Sequence, residues 1–217
     1  MFSFFKKSSP EYNAPLNFPY ENIPSNIKIR KYIKIWKNAD KTSGIPVFVI
    51  FDASLEDMLR ENFYEYKDID IDDFLEEKRK QKNIAPVLGE YDDIGIIDKT
   101  PTSFCIIGDE KTVLAKVPVK KAWEIFEKIP FGGFDECPPA NVVSAFCKMA
   151  CEKYGAVPFA IASDSIELFL SRRLTQDEAV EFAKKIYYFC PNVFGDGETV
   201  YEIANGIAKS SFCFLGW

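Results

Sequence analysis

The run Ile45-Pro46-Val47-Phe48-Val49-Ile50-Phe51 is apolar at every position, with no alternation of polar and apolar residues. A strand with one face in water alternates; a continuous apolar run of this length is a strand covered on both faces. Any fold for this chain must therefore place 45–51 inside a sheet with packing layers on both sides. Ser54 with Asp57 three residues on has the spacing of a helix cap, and Leu55, Met58, Leu59 and Phe63 then line one face. Residues 45–66 read as a βα unit.

On either side of this unit the signals are shorter. Pro10, Pro15, Pro19 and Pro24 lie among Asn, Ser and Tyr, so residues 1–26 read as an irregular segment draped over a domain spanning 27–217. Ile27 to Trp36 interleaves isoleucines with Lys28, Arg30, Lys31 and Lys34, which predicts a half-exposed strand. Over 67–83 the charges run from Asp68, Asp70, Asp72 and Asp73 to Lys78, Arg79, Lys80 and Lys82. That order suits a helix dipole, with Ile71, Phe74 and Leu75 inward. The aspartates do not form a calcium loop, because Asp73 and Arg79 stand where the glycine and the final glutamate are required. Ser103–Gly108 and Thr112–Val119 read as a hairpin around residues 109–111, and Pro118 opens a helix with Ala122, Trp123 and Phe126 on one face.

A shaped loop, 131–139, precedes a helix over 139–153 that buries Val142, Val143, Phe146, Met149 and Ala150. Strands follow at 157–162 and 165–170. Thr175 with Glu178, and Thr199 with Glu202, have capping-box spacing for two helices, the first ended by Cys190-Pro191. Residues 211–215 supply a last strand. Two-strand and two-helix groups alternating along 217 residues predict an α+β (mixed α/β) fold. The expected form is a single domain with a largely antiparallel mixed sheet flanked by helices.

The chemistry is bounded by what is missing. The chain contains no histidine, which removes Ser-His-Asp and Cys-His nucleophile pairs and any imidazole acid–base step. Its six cysteines include no CxxC pair, so they read as reduced, mostly buried thiols, and neither a metal nor a cofactor is expected. A net charge of −6 argues against nucleic acid, and the basic strip Lys28, Arg30, Lys31, Lys34 and Lys37 is too short to reverse that. There is no phosphate-cradling loop, no secretory signal and no membrane-spanning run. A cytoplasmic protein with no membrane contact is the expectation.

The candidate surface is built from a few residues. Gly132 and Gly133 allow a tight turn, Pro138 and Pro139 fix its exit, and between them stand Asp135 and Glu136. These carboxylates could perform acid–base work, but a cap on the following helix is the simpler role for Asp135. Asp164 reads as a turn residue between two strands. Glu167, flanked by Ile166 and Leu168, is expensive to bury unless paired or used; it faces Arg172 or Arg173, or lines a cleft. The aromatics Tyr187, Tyr188, Phe189, Phe194, Phe212, Phe214 and Trp217 read as core, except Trp217, since chain ends are seldom buried unless tied down. Any functional surface is expected where the 131–138 loop, Glu167 and Trp217 converge.

Several segments recur together in a recognisable order: Gly132-Gly133-Phe134-Asp135-Glu136-Cys137-Pro138, Lys153-Tyr154-Gly155-Ala156 and Asp164-Ser165-Ile166-Glu167-Leu168. They continue with Glu178-Ala179, Tyr188-Phe189-Cys190-Pro191 and Phe214-Leu215-Gly216-Trp217. Over roughly 126–217 the chain resembles the bacterial domain of unknown function 4253 family. Ala150, Asn192 and the Leu-Gly-Trp ending depart from a Trp, an Asp and a Trp-Trp-Asp-like ending in that pattern. The resemblance implies a bacterial origin and a fold neighbourhood, and no activity.

Two functional readings follow. One is a macromolecule-binding or inhibitor-type (immunity-like) module whose acidic surface takes a protein partner, a basic one by charge. The other is a small-substrate enzyme using Asp135, Glu136 and Glu167.

Overall fold

A computed structural model describes residues 14–24, 27–61, 67, 69–82, 85–89, 111–195 and 198–217. In chain order the elements are β1 (Tyr20–Ile23), α1 (Ile29–Asn38), β2 (Ile45–Phe51), α2 (Ala53–Glu61), α3 (Ile71–Lys82) and β3 (Lys111–Val117). They continue with α4 (Ala140–Met149), β4 (Ala156–Ile161), β5 (Ser165–Leu170), α5 (Gln176–Phe189), α6 (Val200–Lys209) and β6 (Phe212–Gly216). The fold is α+β, built on one six-stranded mixed sheet of order β1-β3-β2-β4-β5-β6. Four of its five pairings are antiparallel; β2 and β4 run parallel.

The apolar run becomes β2, near the middle of the sheet, and its two sets of side chains divide by parity. Val47, Val49 and Phe51 enter a large core with α2 to α6, while Phe48 and Ile50 enter a smaller aromatic core beneath α1. Tyr32 and Trp36 of α1 carry that second core. Tyr32 meets Phe48 edge-on at 5.1 Å, and Trp36 meets Phe159 at 5.5 Å. The indole N–H of Trp36 also donates to the Pro46 carbonyl at 2.8 Å, which fixes α1 on β2.

Several expectations need correction. Ile27–Trp36 is not a strand: from Ile29 onward it is α1. Ile29, Tyr32, Ile33 and Trp36 are spaced three and four apart, so a helix gathers all of them on the sheet, whereas a strand would send Ile29 and Ile33 to the face opposite Tyr32 and Trp36 and leave Arg30-Lys31 breaking the alternation. The N-terminal segment is not irregular throughout. Tyr20–Ile23, bracketed by Pro19 and Pro24, forms edge strand β1 against β3, where proline is tolerated. The cap of α2 is Asp52, whose carboxylate accepts from the Leu55 N–H at 2.8 Å, and not Ser54. The segment after Pro118 is a 3-10 turn over Ala122–Glu127. The 139–153 helix changes from α to π at Ala150 and stops at Gly155 in the left-handed region, with Met149 only half-buried. The proposed strand Ser103–Gly108, its hairpin turn up to residue 110, and Cys105 lie outside the described residues.

Both capping boxes form. The Thr175 and Thr199 hydroxyls accept from the Glu178 and Glu202 N–H groups, and the glutamates return the bond to the threonine N–H at 2.8 Å.

Candidate functional site

The 131–138 loop is closed by its own backbone. The Gly133 N–H is shared between the carbonyls of Cys137 (3.2 Å) and Pro138 (3.0 Å), and the Cys137 N–H donates to Phe134 at 2.8 Å. Gly132 (φ 112°) could carry no side chain, because a Cβ there would sit 2.1 Å from the Pro138 carbonyl oxygen. Asp135 has φ 44°, the one positive value among the described non-glycine residues, and so does not cap α4; Pro139 occupies that position without a side-chain bond. Asp135 and Glu136 are exposed, and among the described residues neither makes a hydrogen bond or ion pair. The turn therefore holds two charges outward on a backbone that their own side chains do nothing to support.

Aromatic rings set the loop's base. Phe131 packs edge-on against Phe134 (5.3 Å) and tilted against Trp217 (5.7 Å), which in turn meets Phe189 of α5 at 5.6 Å. Trp217 is tied down: its backbone N–H donates to the Asp164 carbonyl at 3.0 Å. Its indole N–H is buried without an acceptor among the described residues. Asp164 is exposed in the β4–β5 turn, and beside it the Ser163 hydroxyl donates to Asp52 at 2.6 Å. That bond links the carboxyl ends of the parallel pair β2 and β4. Asp52 and Ser163 were not singled out by sequence reasoning; an aspartate directly after the apolar strand and before a helix was the available signal.

Glu167 does not join this surface. Strand parity places Ile166, Leu168 and Leu170 in the large core, and puts Glu167 on the opposite face with Phe169 and with Phe214, its register partner on β6. It is fully buried there. Arg172, offered by the sequence as its partner, is instead held by Glu178 at 2.8 Å and by the Lys153 carbonyl at 2.9 Å. The expected convergence thus brings together the loop, the Asp164 turn and Trp217, and leaves Glu167 behind the sheet.

The thiols near this surface are buried and protonated. Burial, then the neighbouring Cys190, pushes the Cys137 thiol up; Cys190, whose Sγ lies 3.1 Å from the Gly216 carbonyl, is pushed up by burial to about 12. Such thiols are poor nucleophiles at neutral pH. No group of Cys, Asp and Glu among the described residues is arranged to hold a metal ion, and no helix there is long and apolar enough to cross a membrane. A concavity of about 940 Å³ lies elsewhere, between α3, the 122–127 turn and α4; Asp135, Glu136, Glu167 and Trp217 do not line it.

Residues 113–217 match the family model of a domain of unknown function, DUF4253. The loop, the Asp164 turn and Trp217 all fall within that match, in keeping with the motifs that suggested it. β2 falls outside it, yet stands between β3 and β4 in the sheet. No curated protein and no solved structure matches the chain significantly.

Proposed function

We propose that this protein is a macromolecule-binding module of inhibitor or immunity type, which recognises a basic protein surface through Asp135, Glu136 and the ring cluster beside them. The observation that carries this reading is the pair of outward, unpaired carboxylates on a turn closed by its own backbone, with Asp135 in a conformation rare for a residue bearing a side chain. Strain of this kind persists where the surroundings over-determine it, and a preformed acidic turn loses little freedom when it meets a partner. Aromatic residues at its base supply the rigid apolar area that interface centres use.

The enzyme alternative has less support, since Glu167 is on the other face of the sheet and the 940 Å³ concavity is not lined by the loop carboxylates. Affinity capture from the native host with the wild type and with a D135K/E136K variant tests the proposal. A stoichiometric basic protein retained by the wild type and lost by the variant is expected. Equal capture by both, or none by either, overturns it.

A further inference from the structure

The exposed side of α1 has an unusual charge pattern. Residues 28–41 contain Lys28, Arg30, Lys31, Lys34, Lys37 and Lys41 against the single acid Asp40, a net of +5 that leaves −11 on the rest of the chain. Lys28, Arg30, Lys31, Lys34 and Lys37 are all exposed, while the apolar residues of the helix are turned to the sheet. Among the described residues Lys28, Lys31 and Lys34 make no ion pair, and Asp40 is engaged by the Thr42 hydroxyl and N–H.

This arrangement works against the helix that bears it. The first turn has no acid and is approached by Lys28, Arg30 and Lys31, at the end where the dipole is already positive. The spacings 28–31, 30–34, 31–34 and 34–37 place like charges on neighbouring turns. The same chain does the opposite in α3, where Asp72 and Asp73 open the helix. A local rule broken in one element and obeyed in another points to a use for the charges outside the fold.

We infer that the exposed face of α1 is a docking strip for a short acidic segment of a partner protein. The helix is about 15 Å long, the reach of a few carboxylates one turn apart. An extended polyanion, a duplex or an anionic bilayer, would also meet the −11 carried by the rest of the molecule. A compact acidic segment confined to the strip avoids that repulsion. Five of the six cations are lysines, point charges suited to carboxylates, and not the planar forks favoured for bidentate phosphate recognition. The strip lies on the opposite sheet face from the 131–138 loop, so it stands or falls independently of the proposed function.

The test is fluorescence anisotropy with a labelled glutamate peptide of about ten residues, beside a single-stranded oligonucleotide of equal charge and anionic phospholipid vesicles. The full chain is compared with K31E/K34E and K31Q/K34Q, and melting temperatures are recorded in parallel. Salt-sensitive peptide binding that weakens roughly tenfold or more in K31E/K34E and less in K31Q/K34Q is expected, with both variants melting no lower than the wild type. Unchanged or undetectable peptide binding, tighter binding of the oligonucleotide or vesicles, or a fall in melting temperature overturns the inference. So does salt-sensitive self-association of the protein alone that K31E/K34E abolishes, since it assigns the strip to a second copy.

Discussion

The backbone N–H of Trp217 donates to the carbonyl of Asp164 at 3.0 Å, joining the end of β6 to the β4–β5 turn. Because that bond is between main chains, side-chain variants at 217 leave it in place and isolate the ring. Trp217→Ala removes the packing on Phe131 and Phe189 and is expected to cost roughly 2–3 kcal/mol. Trp217→Phe keeps most of the ring contact and removes an indole N–H that has no acceptor among the described residues, so it should cost under about 1 kcal/mol. Equal losses in chemical denaturation would mean that the indole N–H matters.

The two loop glycines should respond differently. Gly132→Ala places a methyl 2.1 Å from the Pro138 oxygen at a φ of 112°, and an expected loss of about 3 kcal/mol or more follows. At Gly133 the space is open and only the φ of 81° opposes alanine, at about 1–2 kcal/mol. Urea midpoints of the two variants give the ranking.

Thr175→Ala and Thr199→Ala each delete a formed helix cap, and each should cost about 1 kcal/mol. The caps sit at separate helix starts, so the double variant is expected to show nearly the sum. An unchanged midpoint in both single variants contradicts the capping role.

Arg172, then the Thr175 backbone, holds the Glu178 carboxyl down at about 2 from an ordinary 4.5. A carboxyl lowered in the folded state contributes stability that is complete above about pH 4.5 and is lost as the pH falls through about 2. Glu178→Gln keeps the capping geometry without the charge. Its denaturation midpoint should lie below the wild type at neutral pH, and the two curves should converge in strong acid.

Burial raises every thiol described, Cys151 and Cys190 to about 12, and it pushes Cys137, Cys147 and Cys213 up as well. Site-resolved alkylation near pH 8 should leave these five largely unmodified in the native protein and label them all in denaturant. Rapid labelling of Cys190 or Cys137 in the native state would show that the loop region opens.

Local signals with a short range were readable from the residues. The capping boxes, the β4–β5 turn at Asp164 and the double-sided burial of β2 all follow from spacing within a few residues. What misled was context. Ile29 to Trp36 satisfies parts of two periodicities, and only the aromatic partners Phe48 and Phe159, distant in sequence, select the helix. Asp135 was readable as a cap because carboxylates precede many helices, but the Gly132 turn swings the chain so that Pro139 takes that place. Glu167 stands out in the sequence as a carboxylate among apolar residues, yet the face it takes is decided by strand parity and the register with Phe214. The loop and Trp217 were both marked in the sequence; their contact is a product of sheet order.

The position of β2 bears on how the chain is made as well as how it is built. Its neighbours in the sheet are β3 and β4, with Phe48 opposite both Leu114 and Ala160. During synthesis the ribosome therefore releases a strand with two apolar faces long before either neighbour emerges. Until residue 161 is clear of the exit tunnel, that strand is a template for wrong pairings, and the delay grows with any pause in translation. Nascent chains stalled before β4 should be the aggregation-prone, chaperone-held species, and release past Ile161 the step that ends that dependence.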